Sequence, residues 1–541
     1  MQFQLLQLLS IASAFVKLDF NIYHGDSVSD ISNHKRNQVP GYIGKRDDTA
    51  EMTLLNQKTW YLAELYFGSN QDKISLLVDT GSSDLWVHSH DIVCQVLQNQ
   101  DDDLSKATNT VPVKNTVPVT NTCTSYGTFN TGQTNSFKRN GTQEFQISYA
   151  DNTFAVGIWG YDTVAFDNTN NNKTKVDNLS FAIANVSDSE MGVLGIGLYQ
   201  IETSDQIYEN LPMKMKSQGL IKKNIYSIYL NQPNADSGSV LFGGIDHAKY
   251  EGDLFTVPMI STSDSDSKYR TIIGYSGLSF NIPNLNTTVF EGKKYAVLLD
   301  SGTTFSYFRK EVLSKIVDTL GATYNSDIGG HIAPCTSDSN VYFEFDFNGV
   351  TIKAPLPDLL LPYGGKCILA MLEDDSDYDT IGDNILRNGY FVFDLDDMQV
   401  SLAQAKYTDE SDIEEVISSI PSSLKGKSSD ITDATSTILK SGTSSTNESS
   451  RLTKSHFSSH LGSSSGASAT SDNSSSSSKN EKASNTNFSP QITSSISGSN
   501  LGTDGQTASS TSSSRNNQAS KSSFFSFATL IVSLVMYGLC V

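Results

Sequence analysis

One short pattern occurs twice in this chain. Leu76-Leu77-Val78-Asp79-Thr80-Gly81-Ser82-Ser83 returns as Val297-Leu298-Leu299-Asp300-Ser301-Gly302-Thr303-Thr304. Each copy is an apolar strand that delivers one carboxylate into a turn rich in hydroxyls and glycine. A single Asp-Thr-Gly would pass as an ordinary turn sequence. Two, at matching points of two successive halves, argue for a duplicated fold that brings the carboxylates together. An isolated ionised Asp beside a Leu-Leu-Val strand is costly to bury. Two facing each other can share one proton, because like charges a few ångströms apart do not both ionise. Ser82 and Thr303 are placed to hydrogen-bond the outer carboxylate oxygens, and Gly81 and Gly302 let backbone N–H groups come close. A water held between Asp79 and Asp300 could lose a proton to one while the other protonates a carbonyl. Such a site hydrolyses amides without a covalent intermediate, a cofactor or a metal.

Composition separates the body that carries this pattern from the rest. The chain has 541 residues, 59 acidic against 38 basic side chains and a net charge of −21. No basic surface is available for nucleic acid. Between about Asp47 and Lys406, β-branched and aromatic runs alternate with Gly, Asn and Asp turns. The runs are Thr59 to Phe67, Ile74 to Val78, Glu144 to Tyr149, Val240 to Phe242, Lys294 to Leu299, Val341 to Phe347 and Tyr390 to Phe393. They predict a mostly β globular body. From Ser441 to Ser523 there are 32 serines in 83 residues and two aromatics, Phe457 and Phe488. That stretch cannot bury enough apolar surface to fold, and reads as an O-glycosylated stalk. Sequons at Asn140, Asn172, Asn178, Asn185, Asn286, Asn447, Asn473 and Asn487 offer N-glycan sites.

Both termini carry processing signals. Leu5 to Ala14 is a short apolar run closing in Ala12-Ser13-Ala14, the pattern of a signal peptide over residues 1–14. Dibasic pairs follow at Lys35-Arg36 and Lys45-Arg46, and the second is expected to end a propeptide of residues 15–46. Phe524 to Val541 contains no charge and follows a small, polar stretch. This is the pattern of a glycosylphosphatidylinositol (GPI) signal over residues 518–541, with Asn517 as the attachment residue. Its removal would take Cys540 and leave Cys94, Cys123, Cys335 and Cys367, which chain order pairs as neighbours and for which three connectivities exist. No cysteine pair has CxxC-like spacing for zinc. His88-Ser89-His90-Asp91 could chelate a metal, but with no third ligand it reads as a surface turn.

The chain resembles the pepsin-type aspartic proteases from about Trp60 to Leu402, with Asp-Thr-Gly and Asp-Ser-Gly as the two active-site loops. Tyr149-Ala150-Asp151-Asn152, ahead of Trp159-Gly160-Tyr161-Asp162, resembles the flap that covers substrate, with Trp86 as the indole supporting Tyr149. Val193-Leu194-Gly195 and Thr380-Ile381-Gly382 resemble the segments that brace the catalytic loops. Leu241-Phe242-Gly243-Gly244-Ile245-Asp246 resembles the approach to the interlobe strands. The resemblance implies bridges Cys94–Cys123 and Cys335–Cys367. It also implies a bilobal β fold with the cleft between an N-terminal lobe (residues 47–255) and a C-terminal lobe (256–406), then the stalk (407–517). Departures are Gly68-Ser69-Asn70-Gln71 for the usual Gly-Thr-Pro turn, Ala150 for a flap glycine and Thr380 for an aliphatic residue.

The added parts resemble the yapsins, GPI-anchored yeast surface proteases that cut after Lys or Arg. So does the 28-residue stretch between Cys94 and Cys123 with Asp101-Asp102-Asp103. Glu64, on the first strand of the body, is the specificity candidate; Asp151 discriminates poorly. The expected protein is then an acid-active endopeptidase on the outer face of the plasma membrane or in the wall. It would process or shed surface proteins as a monomer or a nicked two-chain form. The alternative is a catalytically silent wall glycoprotein, which would need a broken dyad, whereas both Asp-centred loops are complete.

Overall fold

Period-two alternation drives the architecture. In the strand Asp72–Asp79, Ile74, Leu76 and Val78 are buried while Lys73 and Ser75 face outward. The strand therefore packs one face on the core and carries Asp79 at its end. The computed structural model describes residues 15–24, 59–97, 116–118, 123–149, 153–167, 174–262, 269–326, 328–421 and 423–425. These build a mostly β body.

The main sheet has 15 strands. Its order among the described residues runs from the edge strand Ser423–Lys425 through Tyr250–Pro258, Gln399–Ala405, Gly389–Asp394, Ile225–Tyr229, Ser237–Phe242 and Val16–His24 to Thr59–Phe67 and Asp72–Asp79, and ends on the hairpin strands Phe154–Ala165 and Lys138–Ser148. Strands from both halves of the sequence thus share one sheet. A second sheet of seven strands holds Ile272–Ile282, Leu285–Leu299, Asp379–Ile381 and Ser306–Arg309. The helix Lys310–Leu320 packs Val312, Leu313 and Ile316 inward and stops at Gly321, whose φ of 64° is the left-handed conformation glycine adopts freely.

The duplication read in the sequence is also a duplication of pairing. Leu76, Leu77, Val78 and Asp79 lie parallel to Gly192, Val193, Leu194 and Gly195. Val297, Leu298 and Leu299 lie parallel to Asp379, Thr380 and Ile381. Each Asp-bearing strand is therefore flanked by a buried segment leading into glycine.

Three places differ from the sequence expectations. Val16–His24, within the segment assigned to the propeptide, is a strand between Ser237–Phe242 and Thr59–Phe67, with Leu18 and Phe20 buried. The folded body does not stop at Lys406, where the stalk was expected to begin. Ile413–Glu415 pairs with Gly244–Asp246, Val416 and Ile420 are buried, and Ser423–Lys425 pairs with Tyr250–Pro258. His88-Ser89-His90-Asp91 is not a surface turn. It continues the strand Leu85–Leu97, and His88 is buried against the Trp86 ring, 5.4 Å away. Burial pushes the His88 imidazole down to about 4. Among the described residues no cluster of His, Cys, Asp and Glu could hold a metal ion.

Candidate active site

Asp79 ends the strand Asp72–Asp79 and Asp300 directly follows the strand Leu285–Leu299, and the two carboxyls lie close enough for the Asp300 charge to act on Asp79. The surroundings are nearly two-fold symmetric. Gly81 N–H donates to Asp79 Oδ1 at 2.7 Å, and Gly302 N–H donates to Asp300 Oδ1 at 2.9 Å. Ser82 Oγ donates to Asp79 Oδ2, and Thr303 Oγ1 donates to Asp300 Oδ2 at 2.7 Å. Glycine is required at both positions for a steric reason. A Cβ on Gly81 would lie 2.6 Å from Asp300 Oδ1, and one on Gly302 would lie 2.5 Å from Asp79 Oδ1. Any side chain there would wedge the carboxyls apart.

The two loops are also tied to each other from beneath. Thr80 Oγ1 donates to Leu299 O at 2.9 Å and accepts from Ser301 N at 3.0 Å. Ser301 Oγ donates to Val78 O at 2.9 Å and accepts from Thr80 N at 3.2 Å. These four bonds make the spacing of the carboxylates a property of both halves together. Ile196 N–H donates to Asp79 O, and Asp300 N–H donates to Ile381 O, which locks each loop onto its bracing segment. The repeat places Thr80 and Ser301 next to the two carboxylates as catalytic-support residues, but nothing in it reveals their cross-loop bonds. Thr271, whose hydroxyl reaches Leu299 O at 3.1 Å, is marked by no local motif.

The flap hairpin is formed by Lys138–Ser148 and Phe154–Ala165, closed at its described end by Tyr149 N–H donating to Thr153 O at 2.9 Å. Trp86 Nε1–H donates to Tyr149 Oη at 2.8 Å. Asp151, Lys45, Arg46 and Asn517 lie outside the described residues, as do Asn172, Asn447, Asn473 and Asn487. Asn140, Asn178 and Asn286 are exposed, and Asn185 is half-buried. Both bridges, Cys94–Cys123 and Cys335–Cys367, are formed. Glu64 lies on the strand Thr59–Phe67 with its carboxylate 2.7 Å from Lys73 Nζ on the next strand, which offsets its charge.

Burial, then the Asp300 charge, pushes the Asp79 carboxyl up to about 7, against the opposing bonds from Ser82 and Gly81. Asp79 therefore keeps its proton in mildly acidic solution beside a second carboxyl, an arrangement able to give and take a proton. Glu202, near Asp84, is pushed up to about 9, chiefly by burial. Both groups keep protons in the folded chain that the unfolded chain gives up near 4. Their contribution to stability is complete below about 4 and is lost as pH rises through about 7 and then about 9. Thermal melting should accordingly fall across that window, and Glu202→Gln should flatten the upper part. A melting temperature that climbs from pH 6 to 9 would contradict this reading.

Comparison with known proteins agrees with the geometry. The pattern of the eukaryotic aspartyl protease family matches residues 60–405. The chain belongs to that family and is an aspartic-type endopeptidase. Among individual relatives, it is 36% identical over 480 residues to secreted aspartic protease 9 of Candida albicans, covering 74% of this chain and 87% of that protein. It is 35% identical over 490 residues to aspartic proteinase 3 of Saccharomyces cerevisiae, covering 80% and 84%. It is 33% identical over 414 residues to aspartic proteinase yapsin-3 of the same yeast, covering 73% and 76%.

Proposed function

We propose that Asp79 and Asp300 are the catalytic pair of a cell-surface endopeptidase that cuts after Lys or Arg, and that a GPI lipid at Asn517 anchors it. The observation that carries the reading is the meeting of the two carboxyls, each held by its own glycine N–H and hydroxyl. Water between them gives a proton to the ionised carboxylate while the protonated partner donates to the carbonyl oxygen. The resulting gem-diol collapses with a proton passed to the departing amine. Tyr149, held by Trp86, would close over the peptide. The amino-terminal apolar run would direct export, and cleavage after Arg46 would release the propeptide. The substrates would be cell-surface and cell-wall proteins. The chain's excess of acidic groups would draw basic sequences to the cleft. Because Lys73 offsets Glu64, the field and not Glu64 is assigned this role.

The test is hydrolysis of a peptide library at acidic pH by folded, propeptide-free protein, with and without pepstatin. Pepstatin-sensitive cuts after Lys or Arg are the expected result. Cuts between apolar residues would discard the specificity, and no cutting at all would favour the silent glycoprotein. Activity should follow the pair's protonation and fall as pH rises through about 7. Replacing Trp86 by Phe removes the donor to Tyr149 and should lower kcat about tenfold by loosening flap closure. An unchanged kcat in that variant would separate Trp86 from the flap's function.

A further inference from the structure

Thr271 is buried with its hydroxyl against Leu299 O and Thr80 O, and its carbonyl accepts from Leu299 N–H. The backbone of the preceding residue, Arg270, is thereby fixed beside both Asp-bearing loops. From there Arg270 Nη1–H donates to Gly81 O at 3.3 Å. Gly81 is the residue whose missing Cβ makes room for Asp300, so the guanidinium stands against the loop that carries Asp79. Arg270 is half-buried, and among the described residues its buried Nε–H has no acceptor and no carboxylate forms an ion pair with it. A guanidinium offers five donors in a rigid fork. Among the described residues one of them has a partner, and a buried donor without one is destabilising. The group that best satisfies such a fork is a carboxylate.

We propose that Arg270 is a specificity residue that recognises a carboxylate of the bound peptide, from an Asp or Glu side chain or from a free C-terminus. This inference rests on the cleavage after Lys or Arg proposed above. Its side of the cleft follows from electrostatics. A guanidinium at the pocket that takes Lys or Arg would repel it. Arg270 therefore serves the stretch after the scissile bond, and the preferred sequence is a basic residue, the cut, then an acidic residue within reach.

The experiment compares peptides carrying Lys before the cut and either Glu or Gln at each of the three positions after it. A second pair differs only in a free or amidated C-terminus. All are assayed at about pH 5.5, where Glu is ionised. At one position the Glu peptide should be cut with kcat/KM about three- to tenfold above its Gln twin, the size of a partly solvated charge-assisted bond. That ratio should approach one in about 1 M salt and in Arg270→Gln, while Arg270→Lys should retain part of it. A preference confined to the free-acid peptide would identify the terminus as the ligand. The ratio is taken within each variant, so a general loss of activity does not affect it. If Arg270→Gln does not fold, the salt dependence of the wild-type ratio decides. A wild-type ratio of one or less in every pair, or a ratio unchanged in Arg270→Gln, overturns the proposal while leaving hydrolysis intact. If the protein cuts a general peptide library but none of these Lys peptides, the basic-residue reading and this one fall together while hydrolysis stands.

Discussion

Asp79→Asn or Asp300→Asn is expected to lower kcat by about four orders of magnitude, the scale of losing positioned acid–base catalysis. Asparagine keeps the size of the side chain and an oxygen for the Gly81 or Gly302 N–H. It cannot share a proton with the opposite carboxyl, nor take one from water. Because the two groups act as one unit, the double variant should be no worse than either single one. Stability should move the other way above neutrality. Asp79→Asn removes a carboxyl that resists ionisation in the folded chain, so its melting temperature should exceed wild type above about pH 7. Measured together, kcat and melting temperature separate lost chemistry from lost fold. Turnover within tenfold of wild type in either single variant would refute the paired-carboxyl mechanism.

The pair was legible because a repeat of eight residues is visible without any alignment and because paired acids on apolar strands need a physical reason. The cross-loop bonds were not, since Thr80 and Ser301 are 221 residues apart and nothing in either loop names its partner. Val16–His24 did carry a signal: Val16, Leu18 and Phe20 alternate with Lys17, Asp19 and Asn21, and the first set is buried. The propeptide assignment rests on the dibasic pairs and leaves that period of two unread. The extension past Lys406 was hidden for another reason. Ile413–Glu415 and Ser423–Lys425 are three-residue strands that exist only through pairing with distant segments, and local composition does not announce them. His88 was misread because His-Ser-His-Asp is polar, whereas its strand lies against Ala182, Ile183 and Ala184 in the interior. Arg270 has no motif at all. Its meaning comes from Thr271, which places it against a loop 189 residues earlier in the chain.

Removing the Asp379 carboxylate should be the most destabilising single change outside the catalytic loops. Asp379 is fully buried on the strand that braces Asp300, and all of its lone-pair directions are in use. It accepts from Arg309 N at 2.8 Å, Arg309 Nε at 3.0 Å, Arg309 Nη2 at 3.1 Å and Tyr275 Oη at 2.6 Å. Arg309 in turn lies over the Tyr295 ring at 4.9 Å. Asp379→Ala leaves a half-buried guanidinium and a buried phenol without their acceptor, and should cost about 3 kcal/mol. The loss should reach the site as well, because Ile381, two residues on, accepts from Asp300 N–H. A drop in kcat is therefore expected below the melting transition. Breaking an ion pair differs from replacing it, since two charges no longer need to be taken out of water when both are gone. Asp379→Leu with Arg309→Met should thus be more stable than Asp379→Ala, the remaining deficit reflecting the Arg309 backbone N–H and the Tyr275 hydroxyl, which both still lack an acceptor. A double-mutant cycle measured by denaturant unfolding reads the coupling directly. If the double variant is as unstable as the sum of its parts, Asp379 is held by the strand and not by Arg309, and the pair does not brace the Asp300 loop.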